Sequence, residues 1–145
     1  MEKVINQDAV ISIEEFGGEK WVRVQALGED FIIAPKDLDN GKSNFNYDDA
    51  MARLKELEYD TFNRKNGLII AIYIEEINAK LKEAGGNPFA RDWYISNELY
   101  KPVGSADYNG VISWFFYGDS GCFYDCYRCG GTFRCRPVLA LPYQV

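Results

Sequence analysis

Histidine is absent from all 145 residues. That removes the side chain that titrates nearest neutrality, the general base of the usual serine and cysteine hydrolases, and most zinc enzyme sites. A basic face is missing as well. The net charge is −6, and residues 1–92 carry all of it, with 18 acids against 12 bases, while residues 93–145 hold four of each. Nothing supplies the cationic surface that phosphate neutralisation requires, so no nucleic acid is expected as a partner. An anionic membrane surface is disfavoured for the same reason. Long apolar runs are also lacking. The longest, Leu68 to Ile74, falls far short of the roughly 20 residues that span a bilayer, so no membrane insertion is expected. Residues 1–8 lack a charged-then-apolar leader, so no signal peptide is expected in the chain. There is no fixed-period repeat, no linker rich in Pro, Gly or Ser, and no glycine loop of the phosphate-gripping kind. The expectation is one domain over residues 1–145.

What is present changes character along the chain. Residues 1–34 read as strands: Val10 to Phe16 and Trp21 to Leu27 alternate or are β-branched, with a turn at Gly17–Lys20, and Phe31 to Ala34 follows the break at Gly28–Asp30. Residues 46–84 read as two helices. Asn46 suits an N-cap, Asp48 and Asp49 suit the first turn, and Ala50, Leu54 and Leu57 share a face. The second helix places Ile70, Ile74, Ile77, Leu81 and Ala84 at helical spacing and stops at Gly85–Gly86; its start is ambiguous, because Leu68 to Ile72 also suits a buried strand. Residues 93–142 read as short strands, around 93–96, 111–117 and 136–141, separated by long loops. The class is α+β, helices packed on an antiparallel sheet.

Residues 93–133 contain 12 of the 22 aromatics, interleaved with Gly, Ser, Asp and Asn. Alternation along a strand places Phe115 and Tyr117 on one face and Trp114 and Phe116 on the other. Trp93 and Trp114 read as core, and Arg136 as a buttress to loop carbonyls. The cysteines are the other feature. Cys122, Cys126 and Cys129 match C-x3-C-x2-C, the cluster-binding spacing of radical S-adenosylmethionine enzymes, but only sixteen residues follow Cys129, too few for the barrel those enzymes need. Cys122, Cys126, Cys129 and Cys135 have the ligand count of a structural zinc site without the spacing of paired knuckles. The alternatives are free thiols or disulfides, or a small metal- or thiol-dependent enzyme built on these four residues. No cofactor is expected. Glu75 and Glu76 are adjacent on a helix and point apart, so they do not form a catalytic pair. Asp119 and Asp125 read as turn formers flanking a loop.

Trp93-Tyr94-Ile95-Ser96-Asn97-Glu98, Ser113-Trp114-Phe115-Phe116, Gly121 and Phe133-Arg134-Cys135-Arg136-Pro137-Val138 together resemble a known ending, roughly W-S-S-E … A-W … G … R-V-R-P-V. It belongs to C-type lectin-like domains of the formylglycine-generating-enzyme superfamily, above all those of gut Bacteroidetes and their phages. The likeness is loose over residues 31–142 and more specific over 93–141; Ala71-Ile72-Tyr73 stands where the family has Leu-Pro-Thr. It implies a C-type lectin-like fold with two helices and long C-terminal loops. The Glu-Pro-Asn and Trp-Asn-Asp groups that bind calcium and sugar in true lectins are missing, and the enzyme's catalytic cysteine pair maps onto no two of these four cysteines. The resemblance therefore implies a non-catalytic binding module on a phage particle or cell surface.

One branch of that family is diversified by retroelements, which scatter Tyr, Asn, Asp, Ser, Gly, Phe and Cys over a fixed frame. Residues 100–133 have that composition. The expected ligand-binding residues are Tyr100, Tyr108, Asn109, Phe115, Tyr117, Asp119, Ser120, Phe123, Tyr124, Asp125, Tyr127 and Arg128. Tyr and Phe bring large, rigid contact area, and the small polar residues adapt their hydrogen bonds, as in an antibody loop. The expected partner is a protein or glycan on a target surface.

Overall fold

The computed structural model describes residues 9–100, 110–117, 120–127 and 133–141. The chain starts as a meander: β1 (Val10–Phe16), β2 (Glu19–Ala26) and β3 (Glu29–Ile33) pair antiparallel. Both hairpins close in two residues with positive φ. Gly17 and Gly18 stand at 60° and 84°, Leu27 and Gly28 at 51° and 80°, the geometry whose twist matches that of the flanking strands. A turn at Leu38–Gly41 follows. The last strand, β7 (Val138–Ala140), returns to pair with β3, giving a four-stranded sheet in the order β1-β2-β3-β7. A second sheet has the order β4-β5-β6, with β4 at Trp93–Tyr100, β5 at Gly110–Tyr117 and β6 at Ser120–Tyr127.

Three α-helices lie between the sheets in sequence. Helix α1 (Tyr47–Glu56) begins as expected, the Asn46 carboxamide oxygen accepting the Asp49 N–H at 2.8 Å with Asp48 and Asp49 in the first turn. The single second helix anticipated over residues up to 84 is in fact two: α2 (Arg64–Ile72) and α3 (Ile74–Glu83), broken at Tyr73 with φ −110° and ψ 28°. Helix α2 packs on β5 and β6, whereas α3 packs on β1 and β2. One straight rod does not serve both sheets, so the chain redirects at a single residue. Local sequence supports both new ends. Asn63 and Asn66 cap α2 reciprocally, and Glu75 and Glu76 occupy the first turn of α3, where the helix dipole favours acids.

The main core joins the two sheets through these helices. Val22, Val24, Phe31 and Ile33 of the first sheet meet Ile69, Ile70, Ile74, Ile77 and Leu81 of the helices and Tyr94, Ile112, Trp114 and Phe116 of the second sheet. Burying each such aliphatic or aromatic side chain contributes about 2 kcal/mol. Gly67 lets α2 approach β5 closely, since a Cβ there would run into the Trp114 indole, lying 2.7 Å from Cε2 and closer still to Nε1. A second cluster packs α1 on β4 through Ala50, Leu54, Ile95, Phe133 and Cys135. The architecture is thus α+β, as the element order implied, but with two antiparallel sheets and three α-helices among the described residues in place of one sheet and two helices. No helix among the described residues is long and apolar enough to cross a membrane.

Candidate functional site

The last third is held by a buried polar frame. Arg136 is fully buried. Its Nε donates to Asp37 Oδ1 at 2.7 Å, Nη1 to the carbonyls of Ala34 and Asn87 at 3.1 and 2.9 Å, and Nη2 to that of Pro88 at 3.2 Å. Its guanidinium also lies over the Phe89 ring, 4.6 Å from the centroid. Arg134, two residues earlier, donates from Nε to Asp92 at 3.0 Å and from Nη1 to Asp37 Oδ2 and the Gly41 carbonyl, both at 3.2 Å. The Tyr94 hydroxyl donates to Asp37 at 2.9–3.0 Å and accepts the Ala90 N–H at 2.8 Å. Burial first, and then the Asp37 charge, pushes that phenol well above its ordinary value, so it stays a neutral donor. Asp37 therefore receives two guanidinium groups and one phenol.

The Ser96-Asn97-Glu98 run serves the same frame. The Ser96 hydroxyl donates to the Ile112 carbonyl at 2.7 Å and accepts the Glu98 N–H at 3.1 Å. Asn97 Nδ2 donates to Asp60 and to the Thr61 carbonyl, and Thr61 Oγ1 donates to the Arg136 carbonyl at 2.6 Å. Glu98 accepts the Arg64 N–H at the start of α2. Every polar residue of this run is tied to backbone or to a neighbouring element. Arg136 is the carbonyl buttress that the sequence suggested, and Trp114 is core. Trp93 packs half-buried against the second cluster.

On this frame sit the positions expected to bind. Tyr108, Asn109, Asp119 and Arg128 lie outside the described residues. The other eight fall on strands: Tyr100 ends β4, Phe115 and Tyr117 are on β5, and Ser120, Phe123, Tyr124, Asp125 and Tyr127 are on β6. The loop expected at residues 118–121 gives way to strand from Ser120, because the Tyr, Phe and Cys content of residues 120–127 suits a pleated surface and they pair along β5. The register separates the eight into two sets. Pairs 115–122, 113–124 and 117–120 share one set of strand positions, while 114–123, 112–125 and 110–127 share the set of the buried Ile112 and Trp114. Tyr100 pairs with Gly110 and joins the second set. The eight positions therefore fall in both alternating sets of strand positions, with Phe115 and Tyr117 in one and Trp114 in the other as alternation along the strand implied.

Of the four cysteines, Cys135 lies in the core, and Cys122 and Cys126 lie on one strand. Cys135 is fully buried beside Leu38, Phe45 and Ile95, and burial pushes its thiol well above the ordinary range. Cys122 and Cys126 stand four residues apart on β6, about 13 Å at the strand rise, whereas two thiolates on one zinc lie within roughly 4 Å. Cys129 lies outside the described residues. No group of three or more His, Cys, Asp or Glu side chains suited to a metal ion occurs among the described residues. Sequence reasoning assigned no role to Asp37, which joins two arginines 97 and 99 residues away, or to Asp92, which accepts from the same Arg134.

Comparison of the chain with family models, with curated proteins and with solved structures gives no match.

Proposed function

We propose that the chain is a non-catalytic ligand-binding domain of C-type lectin-like architecture, in which Tyr, Phe, Ser and Asp residues drawn from 100–132 contact a protein or glycan on a target surface. The observation that carries this reading is the separation of roles in the last third. Tyr94, Ser96, Trp114, Phe116, Phe133 and Arg136 are buried, and Asp37 ties down the segment that follows residue 132. Between these fixed points the sequence is rich in residues that make good contacts and contributes little that chemistry needs. Antiparallel sheets, helices packed on them and a final strand returning to the first sheet are compatible with the architecture named. A rigid frame carrying adaptable contact residues is the arrangement that keeps the entropic cost of binding low.

The test is to sequence the 3′ end of the gene and its flanks across a population. A nearby near-copy differing mainly at adenines, with variation confined to codons for residues 97–134, supports a diversified binding surface. An invariant 3′ end with no template sinks the diversification and leaves the binding reading to a direct assay. For that assay, Tyr100→Ala, Tyr117→Ala and Tyr124→Ala are each compared with the parent on glycan and surface-protein arrays. Identical profiles from all three variants overturn it.

A further inference from the structure

We infer that the polar cleft between residues 36–41 and 87–90 is a second binding site, for a monoanionic, carboxylate-bearing sugar of the hexuronate type. The cleft encloses about 320 Å³ and is walled by Lys36, Asn40, Asn87, Pro88, Ala90 and Arg134. That is the lower end of the roughly 300–1,000 Å³ range of small-molecule sites. It uses none of the aromatic positions discussed above, so it goes beyond the proposed function and stands or falls separately from it.

Charge sets the ligand class. Around the cleft Lys36, Arg134 and Arg136 bring three positive charges, and Asp37 and Asp92 bring two negative ones, leaving one positive. Asp39, the next acid, pairs with Arg53 at 3.0 Å. The Lys36 ammonium has no ion pair among the described residues. Arg134 is clamped on Nε and Nη1 by Asp92, Asp37 and the Gly41 carbonyl, and its Nη2 has no hydrogen-bond partner among the described residues. A guanidinium fixed in this way offers its remaining N–H without further loss of rotamer freedom. One surplus positive charge matches a carboxylate better than a phosphate dianion. The exposed carboxamides of Asn40 and Asn87 each donate and accept, which suits hydroxyl groups. Pro88 and Ala90 supply a small apolar wall for the C–H face of a sugar ring.

The experiment is an NMR titration of the ¹⁵N-labelled full chain with D-glucuronate, D-glucose, acetate and inorganic phosphate. D-Glucuronate is expected to shift the amides of residues 36–41 and 87–90 saturably, with glucose and acetate at least tenfold weaker. Lys36→Gln, a change at an exposed side chain, should weaken glucuronate about tenfold, the loss of one charge-assisted hydrogen bond. Absence of saturable shifts, shifts confined to other residues, or an unchanged affinity in Lys36→Gln overturns the proposal. Phosphate or acetate binding as tightly as glucuronate also overturns it, leaving a bare anion hole.

Discussion

Replacing Asp37 with Asn tests whether the frame rests on a desolvated charge or merely on hydrogen-bond geometry. The Asp37 side chain is 8% exposed, and the Arg136 side chain 0%, with Nε and Oδ1 2.7 Å apart. Asparagine keeps the size, but it removes the charge facing Arg136 and replaces one acceptor oxygen by a donor. Removing one partner of a buried ion pair costs roughly 3–5 kcal/mol, because the other charge stays buried. Three carbonyl bonds and the Phe89 ring still hold Arg136, so the lower end of that range, about 3 kcal/mol, is expected. For a domain of this size that corresponds to a fall in Tm of roughly 6–12 °C, and to a sizeable part of a total stability of about 5–15 kcal/mol. The control is Asp30→Asn. Arg23 Nη2 and Asp30 Oδ2 are also 2.7 Å apart, but their side chains are 31% and 32% exposed. An exposed pair of that kind contributes less than about 1 kcal/mol. Urea unfolding followed by tryptophan fluorescence, with calorimetry alongside, reads both variants. Equal losses in the two, or a loss below about 1 kcal/mol for Asp37→Asn, would refute the reasoning from burial.

Three further outcomes follow from single groups. The hydrogen bond from Arg23 holds the Asp30 carboxyl below its ordinary value of 3.8. Its stabilising effect is therefore full above that value and lost as pH falls through the lower folded value. The stability difference between parent and Asp30→Asn should shrink over that acid range and stay flat above it; a difference that grows on acidification would reverse the sign. Cys135 is fully buried and its thiol is pushed up by burial, so peptide mapping after iodoacetamide treatment at about pH 8 should find it unlabelled in the folded protein and labelled after denaturation. Rapid labelling in the folded state contradicts its place in the core. Finally, the Tyr73 hydroxyl is buried without a hydrogen-bond partner among the described residues, so Tyr73→Phe should stabilise by about 1 kcal/mol in urea unfolding. A comparable destabilisation would point to a bound water or an unseen partner.

Much of the scaffold was legible along the chain because it depends on neighbours in sequence. The β1–β3 meander follows from alternation and two tight turns, the start of α1 from Asn46 and two following acids, and the burial of Trp114 from its place in a strand. The break at Tyr73 was not legible, because Ile70, Ile74, Ile77 and Leu81 keep a single helical period across it. Only the need to pack on two different sheets separates α2 from α3. Likewise, residues 120–127 carry the Gly, Ser and Asp content of a loop and become a strand through pairing with β5.

The sequence by itself determined the class, the element order and what the chain lacks: histidine, a basic face and an apolar span. The absences are properties of composition and hold in any fold, whereas class and the broad succession of strands, helices and strands rest on patterns within a few residues. Tertiary structure alone decided how the positions of β6 line up with those of β5, that Cys135 belongs to the core, and that Asp37 joins Arg134, Arg136 and Tyr94. Such groupings depend on strand register and on contacts spanning 57 to 99 residues, and no local pattern encodes which distant charge will be buried against which.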